Sequence, residues 1–213
     1  MVLTRLQAML SELYALDVTY DVDDFLVTDE RLADALDVDG RRLDEKLLIV
    51  EEQGEASIAL YVDAQVLERL GKNDPARQLR GDNIEDFWTA LEGVSHFLYY
   101  VWNAAFEKSV TLMEMELQAE VDKFVSTALL LRRQGGHLPA NLHRCLFDMP
   151  SFDARLDEEE LVRYQSANRY AGKYCKKLAP QLAVAPGPDS LREELCYFYR
   201  LAQPGKIEHI ESA

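Results

Sequence analysis

Residues 84–105, IEDFWTALEGVSHFLYYVWNAA, read as one long helix that is apolar on most of its circumference. A helix of that kind belongs in a core, because it has no broad polar face to give to water. Trp88 and Trp102 read as core anchors on it. The apolar stretch 91–106 is interrupted by Glu92, His96 and Asn103. It is also shorter than the ~20 residues a membrane span needs. A short link follows, residues 106–110, and then Thr111 and Glu114 stand at capping-box spacing and open a second long helix. That helix ends near Gly135-Gly136. A short link makes antiparallel neighbours, so the two helices form a hairpin turning near residue 108.

The remaining elements arrange themselves around that hairpin. Leu3, Leu6, Leu10, Leu13 and Leu16 mark an amphipathic N-terminal helix over 3–16. Residues 20–27 look extended, and Thr28-Asp29 caps a short helix over 29–36. Residues 46–50 and 57–62 are β-rich runs around a Gly54 turn, the pattern of a hairpin. A helix over 64–70 is stopped by Gly71 and Pro75. Further helices are expected over 139–147, 157–178 and 189–201, with a linker over 180–188 and a short tail after Pro204-Gly205. The expected fold class is α+β and predominantly α, a helical bundle with a small N-terminal antiparallel β-hairpin or sheet. We read 1–213 as a single domain, with an acidic α/β part over 1–80 and a helical part over 81–213.

Charge bounds the partners. The chain carries 38 acids against 23 bases, a net −15. Residues 1–80 hold 18 acids and 9 bases, whereas residues 151–213 hold 10 and 9. Phosphate affinity rests on Lys and Arg, so the acidic first third argues against DNA. Residues 28–47 followed by the hairpin have the order of a winged helix-turn-helix, with Arg41 and Arg42 on the second helix. Its tip would be Glu51, Glu52 and Glu55, which repel a phosphate backbone. The helix over 163–177 leaves room for RNA, with Arg163, Arg169, Lys173, Lys176 and Lys177 on one side and Tyr170 free to stack. The preferred reading of the same helix is a solvated face whose Tyr side packs in the core. Cys145, Cys175 and Cys196 are odd in number and widely spaced, which points to reduced thiols in a cytoplasmic, soluble protein.

One polar constellation stands out against the apolar hairpin. Glu92, His96, Tyr99 and Asn103 share a face of the first helix. On the second, Glu120 falls inside the stripe of Met113, Leu117, Phe124, Ala128 and Leu131, and Glu116 flanks it. The hairpin register sets His96 opposite Glu120, and Tyr99 near Glu116. Glu92, His96, Glu116 and Glu120 are therefore the candidate metal ligands, a mixed N/O set suited to Zn, Fe or Mn. Without a metal, a Glu–His pair can do acid/base work, or simply be an ion pair satisfied within the core. The segment Leu91-Glu92-Gly93-Val94-Ser95-His96 superficially resembles the H-E-x-x-H helix of the zincin metallopeptidases. Leu91 and Ser95 stand where that family has its histidines, so the resemblance implies no peptidase activity.

No phosphate loop, serine-hydrolase elbow or dinucleotide fingerprint is present in the sequence. The reading is a soluble cytoplasmic accessory or protein-interaction protein without catalytic activity or resident cofactor, meeting a protein partner or itself. The alternative is a metal-dependent or acid/base, hydrolase-like enzyme using the Glu/His cluster.

Overall fold

A computed structural model of the chain describes residues 1–36, 43–52, 55–135, 138–150, 156–184 and 189–212. Helix α1, Val2–Tyr14, buries Leu3, Leu6, Leu10 and Tyr14 at the spacing its sequence dictates. Residues 20–27 are extended only in part. Asp21 accepts a bond from the Asp23 amide and nucleates a 3₁₀ turn, Val22–Phe25, before strand β1, Leu26–Val27. Asp29 caps α2, Glu30–Leu36, by accepting from the Arg31 amide.

Strands β2, Glu45–Glu52, and β3, Glu55–Val62, form the expected antiparallel hairpin, with Glu45 opposite Val62 and Leu47 opposite Leu60. β1 joins β3 in parallel, giving the order β1-β3-β2. The small sheet is therefore mixed, where a purely antiparallel one was expected. The winged helix-turn-helix is overturned, because residues 45–47 pair in β2 and do not continue a recognition helix. Cross-strand packing of aliphatic side chains outweighs a short, weakly helical pattern. Arg41 and Arg42 lie outside the described residues.

Asp63 caps α3, Ala64–Lys72, which runs through Gly71. The central hairpin is α4, Ile84–Ala104, and α5, Leu112–Gly135. The Thr111–Glu114 capping box forms in both directions, with the Thr111 amide donating to Glu114 and the Glu114 amide to Thr111. α1, α3, α5 and the sheet all pack on α4, which explains its apolar circumference. Gly93 is what lets the sheet come so close. A Cβ there would stand 3.0 Å from both Glu45 Oε2 and Leu60 Cδ1. Alanine normally stabilises a helix interior over glycine by about 1 kcal/mol. Gly93→Ala is expected instead to destabilise by about 1–3 kcal/mol, the range for overpacking. A thermal melt checks this, and a gain in stability would contradict the close approach.

The segment expected as a helix over 139–147 instead turns into a π-helical turn, Arg144–Asp148. Helix α6, Glu158–Leu182, holds it. Asn168 donates to the Leu146 carbonyl at 3.0 Å, and the His143 ring meets the Gly172 carbonyl at 2.8 Å. Those bonds favour a wider turn than the local pattern prefers. α6 also continues through Pro180, where a linker was expected. In the last turn a proline costs one hydrogen bond, and wholly buried Leu182 anchors the end. α7, Asp189–Arg200, is followed by α8, Gln203–Ser212, where a tail was expected. Pro204 sits in the first turn of α8, where amides have no intrahelical acceptor anyway.

One apolar cluster runs from Leu3 and Val62 through Phe97 and Val125 to Leu178 and Phe198. It joins the acidic first part of the chain to the helical remainder. The protein is predominantly α, with its strands near the N-terminus. No helix among the described residues is long and apolar enough to cross a membrane.

Candidate functional site

The polar residues of the hairpin meet beneath the sheet. α4 supplies Glu92 and His96 one turn apart, and α5 supplies Glu116, Glu120 and Lys123 on successive turns. β2 adds Glu45 over the top, admitted by Gly93. Glu92, His96 and Glu116 each offer a ligand atom within 4.8 Å of the other two. His96 Nε2 lies 3.6 Å from Glu116, and Nδ1 lies 3.9 Å from Glu45 on the opposite edge of the ring. His96 is only 5% exposed, yet its Nε2 and the Glu45 Oε2 atom have no hydrogen-bond partner. Buried polar atoms are rarely left so.

Glu120 does not partner His96. Its carboxylate is 2.6 Å from Lys123, one turn along the same helix, and Lys123 also reaches Glu92 at 3.0 Å. A permanent cation that close takes the carboxylate in preference to an imidazole. The register expectation was right to within a turn. The partner it gave was wrong because it left Lys123 out. Three of the four expected ligands therefore converge, while Glu120 sits on the far side of Lys123. Tyr99 turns away to Glu114 at 3.3 Å, and Asn103 bonds the Tyr99 carbonyl of its own helix. Sequence reasoning missed Glu45, Lys123 and Tyr164, which stands half-buried beside Glu116 on α6. Gly93 was the available signal for Glu45.

The electrostatics follow from burying four carboxylates with two cations. Burial pushes the Glu45 carboxyl up to about 8; His96 opposes this, and Glu92 and Glu116 reinforce it. Burial alone would lower the His96 pKa, but Glu116, then Glu45 and Glu92, hold it up at about 9. Burial likewise raises Glu120 against the pull of Lys123, whereas in Glu92 burial is outweighed by Lys123 and His96 together, which lower the pKa. Tyr164 is raised by burial and then by Glu116.

Glu45 and His96 both bind more protons folded than unfolded near neutral pH. Their stabilisation is complete below the unfolded values and is lost as pH rises, for His96 between about 6.5 and 9. Chelator-treated wild type is therefore expected to lose on the order of 2 kcal/mol more than His96→Gln between pH 6 and 9. Urea melts at the two pH values measure this. Equal losses would show that His96 is not held by its carboxylates.

A cavity of about 390 Å³ opens beside the cluster, lined by Glu45, Glu92, Glu120 and Lys123 together with Cys145 and Tyr164. The π-helical turn supplies Cys145 and Leu146 to this lining, and such turns recur at functional sites. In a tetrahedral site, metal bonds of about 2.0–2.2 Å set ligand atoms roughly 3.3–3.6 Å apart. His96 Nε2 and Glu116 already stand at 3.6 Å, and Glu92, whose ligand atom lies within 4.8 Å of both, would close on them to complete the set. The basic side of α6 is partly engaged by α8, since Lys173 pairs with Glu211 at 2.6 Å and Lys177 donates to the Ile210 carbonyl. His143 is tied to Gly172, and His137 lies outside the described residues. No family profile, curated protein or solved structure matches this chain.

Proposed function

We propose that this chain holds a divalent transition metal between His96, Glu92 and Glu116 and performs metal-dependent or acid/base, hydrolase-like chemistry at the adjoining cavity. The observation that carries the reading is the buried, unpartnered His96 Nε2 facing Glu116 at 3.6 Å, with Glu92 beside it. One imidazole and two carboxylates suit Zn, Fe or Mn. A carboxylate has two oxygens, so Glu92 can meet Lys123 with one and a cation with the other. With a cation at Nε2, Nδ1 would carry the proton on the edge of the ring nearest Glu45, 3.9 Å away, where a closer approach would fix the tautomer of a ligand histidine. A bound metal would polarise a substrate oxygen in the cavity. In its absence, Glu45 and His96 are the groups able to exchange a proton near neutral pH.

Adding Zn²⁺, Mn²⁺ or Fe²⁺ to chelator-treated protein tests this. At a hundredfold excess over Kd, wild type is expected to melt about 5–10 °C higher. His96→Ala and Glu116→Gln are expected not to respond. A silent wild type, or variants that respond equally, rejects the site.

The acidity of residues 1–80 supports a second reading, a non-catalytic cytoplasmic protein that meets a basic protein partner or itself. Its three cysteines are free thiols, in keeping with a reducing compartment. Pull-down of such a partner from the source cytoplasm, unaffected by His96→Ala, would favour it over the metal centre.

A further inference from the structure

Away from the His96 cluster, α1, α5 and α7 enclose a groove of about 430 Å³. Its floor is apolar, built from Leu13 of α1, Leu129 of α5, and Leu191 and Leu195 of α7. Its rim carries Arg132, Arg133 and Arg192, with Glu12 the one acid among its described lining residues. Three arginines together are unexpected in a chain of net charge −15. Among the described residues, none of the three meets a carboxylate. Arg132 donates to the Leu182 and Val184 carbonyls and Arg192 to the Glu12 carbonyl at 3.2 Å. Independently, Ser126 is wholly buried, lines the same groove and has a hydroxyl without a hydrogen-bond partner.

An apolar slot edged by guanidiniums that meet no carboxylate is complementary to an aliphatic body with one anionic end. We infer that this groove is a binding site for a medium-chain alkyl carboxylate, its chain on Leu13, Leu129, Leu191 and Leu195 and its carboxylate at the arginine rim. The volume falls in the range of small-molecule sites, about 300–1,000 Å³. The acidity of the rest of the chain repels the ligand from other surfaces, so the arginines also set where it can bind.

Calorimetric titration of the full chain with decanoate tests the proposal. Saturable binding at about one decanoate per chain is expected, with octanoate roughly tenfold weaker, as two fewer buried methylenes imply. Decanol should bind about tenfold or more weakly, because it brings no charge to the arginines. The doubly substituted Arg133→Glu, Arg192→Glu chain, altered only at exposed positions, should keep its melting temperature and lose at least tenfold in decanoate affinity. Should it fold poorly, Arg133→Gln serves alone, with a loss of several-fold. No saturable binding, decanol binding as tightly as decanoate, or unchanged affinity in the folded variant overturns the proposal. So does an acidic amphipathic peptide that occupies the groove and that decanoate fails to displace.

Discussion

Replacing Asp122 by alanine is expected to destabilise the protein by about 4 kcal/mol, the size of effect that follows from stranding buried donors. Asp122 is 1% exposed and accepts three bonds, from Ser95 at 2.6 Å, from Gln118 at 2.9 Å and from the Tyr14 hydroxyl. It thereby ties α1 and α4 to α5. Gln118 in turn accepts from Lys206, a wholly buried lysine of α8 that also donates to the Phe198 carbonyl, each at 2.8 Å. The rings of Phe198 and Tyr99 surround that ammonium at 4.2 and 5.1 Å. Burial pushes Asp122 up to about 6 against its three donors, and pushes Lys206 down to about 7 against Asp122 and Glu114. Alanine would leave the buried Ser95 and Tyr14 hydroxyls without their acceptor, each costing about 1–3 kcal/mol, and Gln118 with Tyr14 alone. It would also leave Lys206 with Glu114 in place of two nearby carboxylates. Asp122→Asn keeps one acceptor and should lose roughly half as much. Urea unfolding of the two variants checks the order. A loss below about 1 kcal/mol in Asp122→Ala would mean that the network is not a structural hub.

Lys123→Met is the second large effect, expected to cost about 3 kcal/mol. The methylene stem is retained while the ammonium between Glu92 and Glu120 is lost, so two mostly buried carboxylates face each other unpaired. Water reaches the pair from the cavity, which places the cost at the low end for a broken buried ion pair. Adding Glu120→Gln to Lys123→Met should restore about half of the loss, because it removes one of the two stranded charges. If the double variant is as unstable as the single one, the ammonium matters for packing and not for charge.

The helical hairpin was legible because its signals are local. Apolar periodicity, the Thr111–Glu114 box and a short link fix two helices and their antiparallel sense. That register brought the two polar faces together, although it set Glu116 beside Tyr99 where the structure sets it beside His96. Glu120 went astray because an estimate from turn position cannot weigh Lys123 against His96 for the same carboxylate. Glu45 was out of reach for a different reason. It is the first residue of a strand far upstream of α4, brought over the cluster by the packing of Leu60 against a helix that lacks a side chain at Gly93. The C-terminal misreadings share a cause with one another. Pro180 and Pro204-Gly205 are local breakers, and the local rule lost to Leu182, Lys206 and Ile210, which are buried by distant helices. What tertiary contacts decide, a window of neighbours does not show.

If His96, Glu92 and Glu116 hold a metal as proposed, elemental analysis of the purified protein will detect it. Protein produced with Zn, Mn and Fe supplied, then desalted without chelator, is expected to retain about one transition-metal ion per chain. Folded His96→Ala and Glu116→Gln proteins prepared alongside should retain less than a tenth of that, the loss typical of removing a ligand. Substoichiometric metal in wild type, or stoichiometric metal that survives both substitutions, would rule out the proposed metal centre and leave the cluster as a buried ion-pair network.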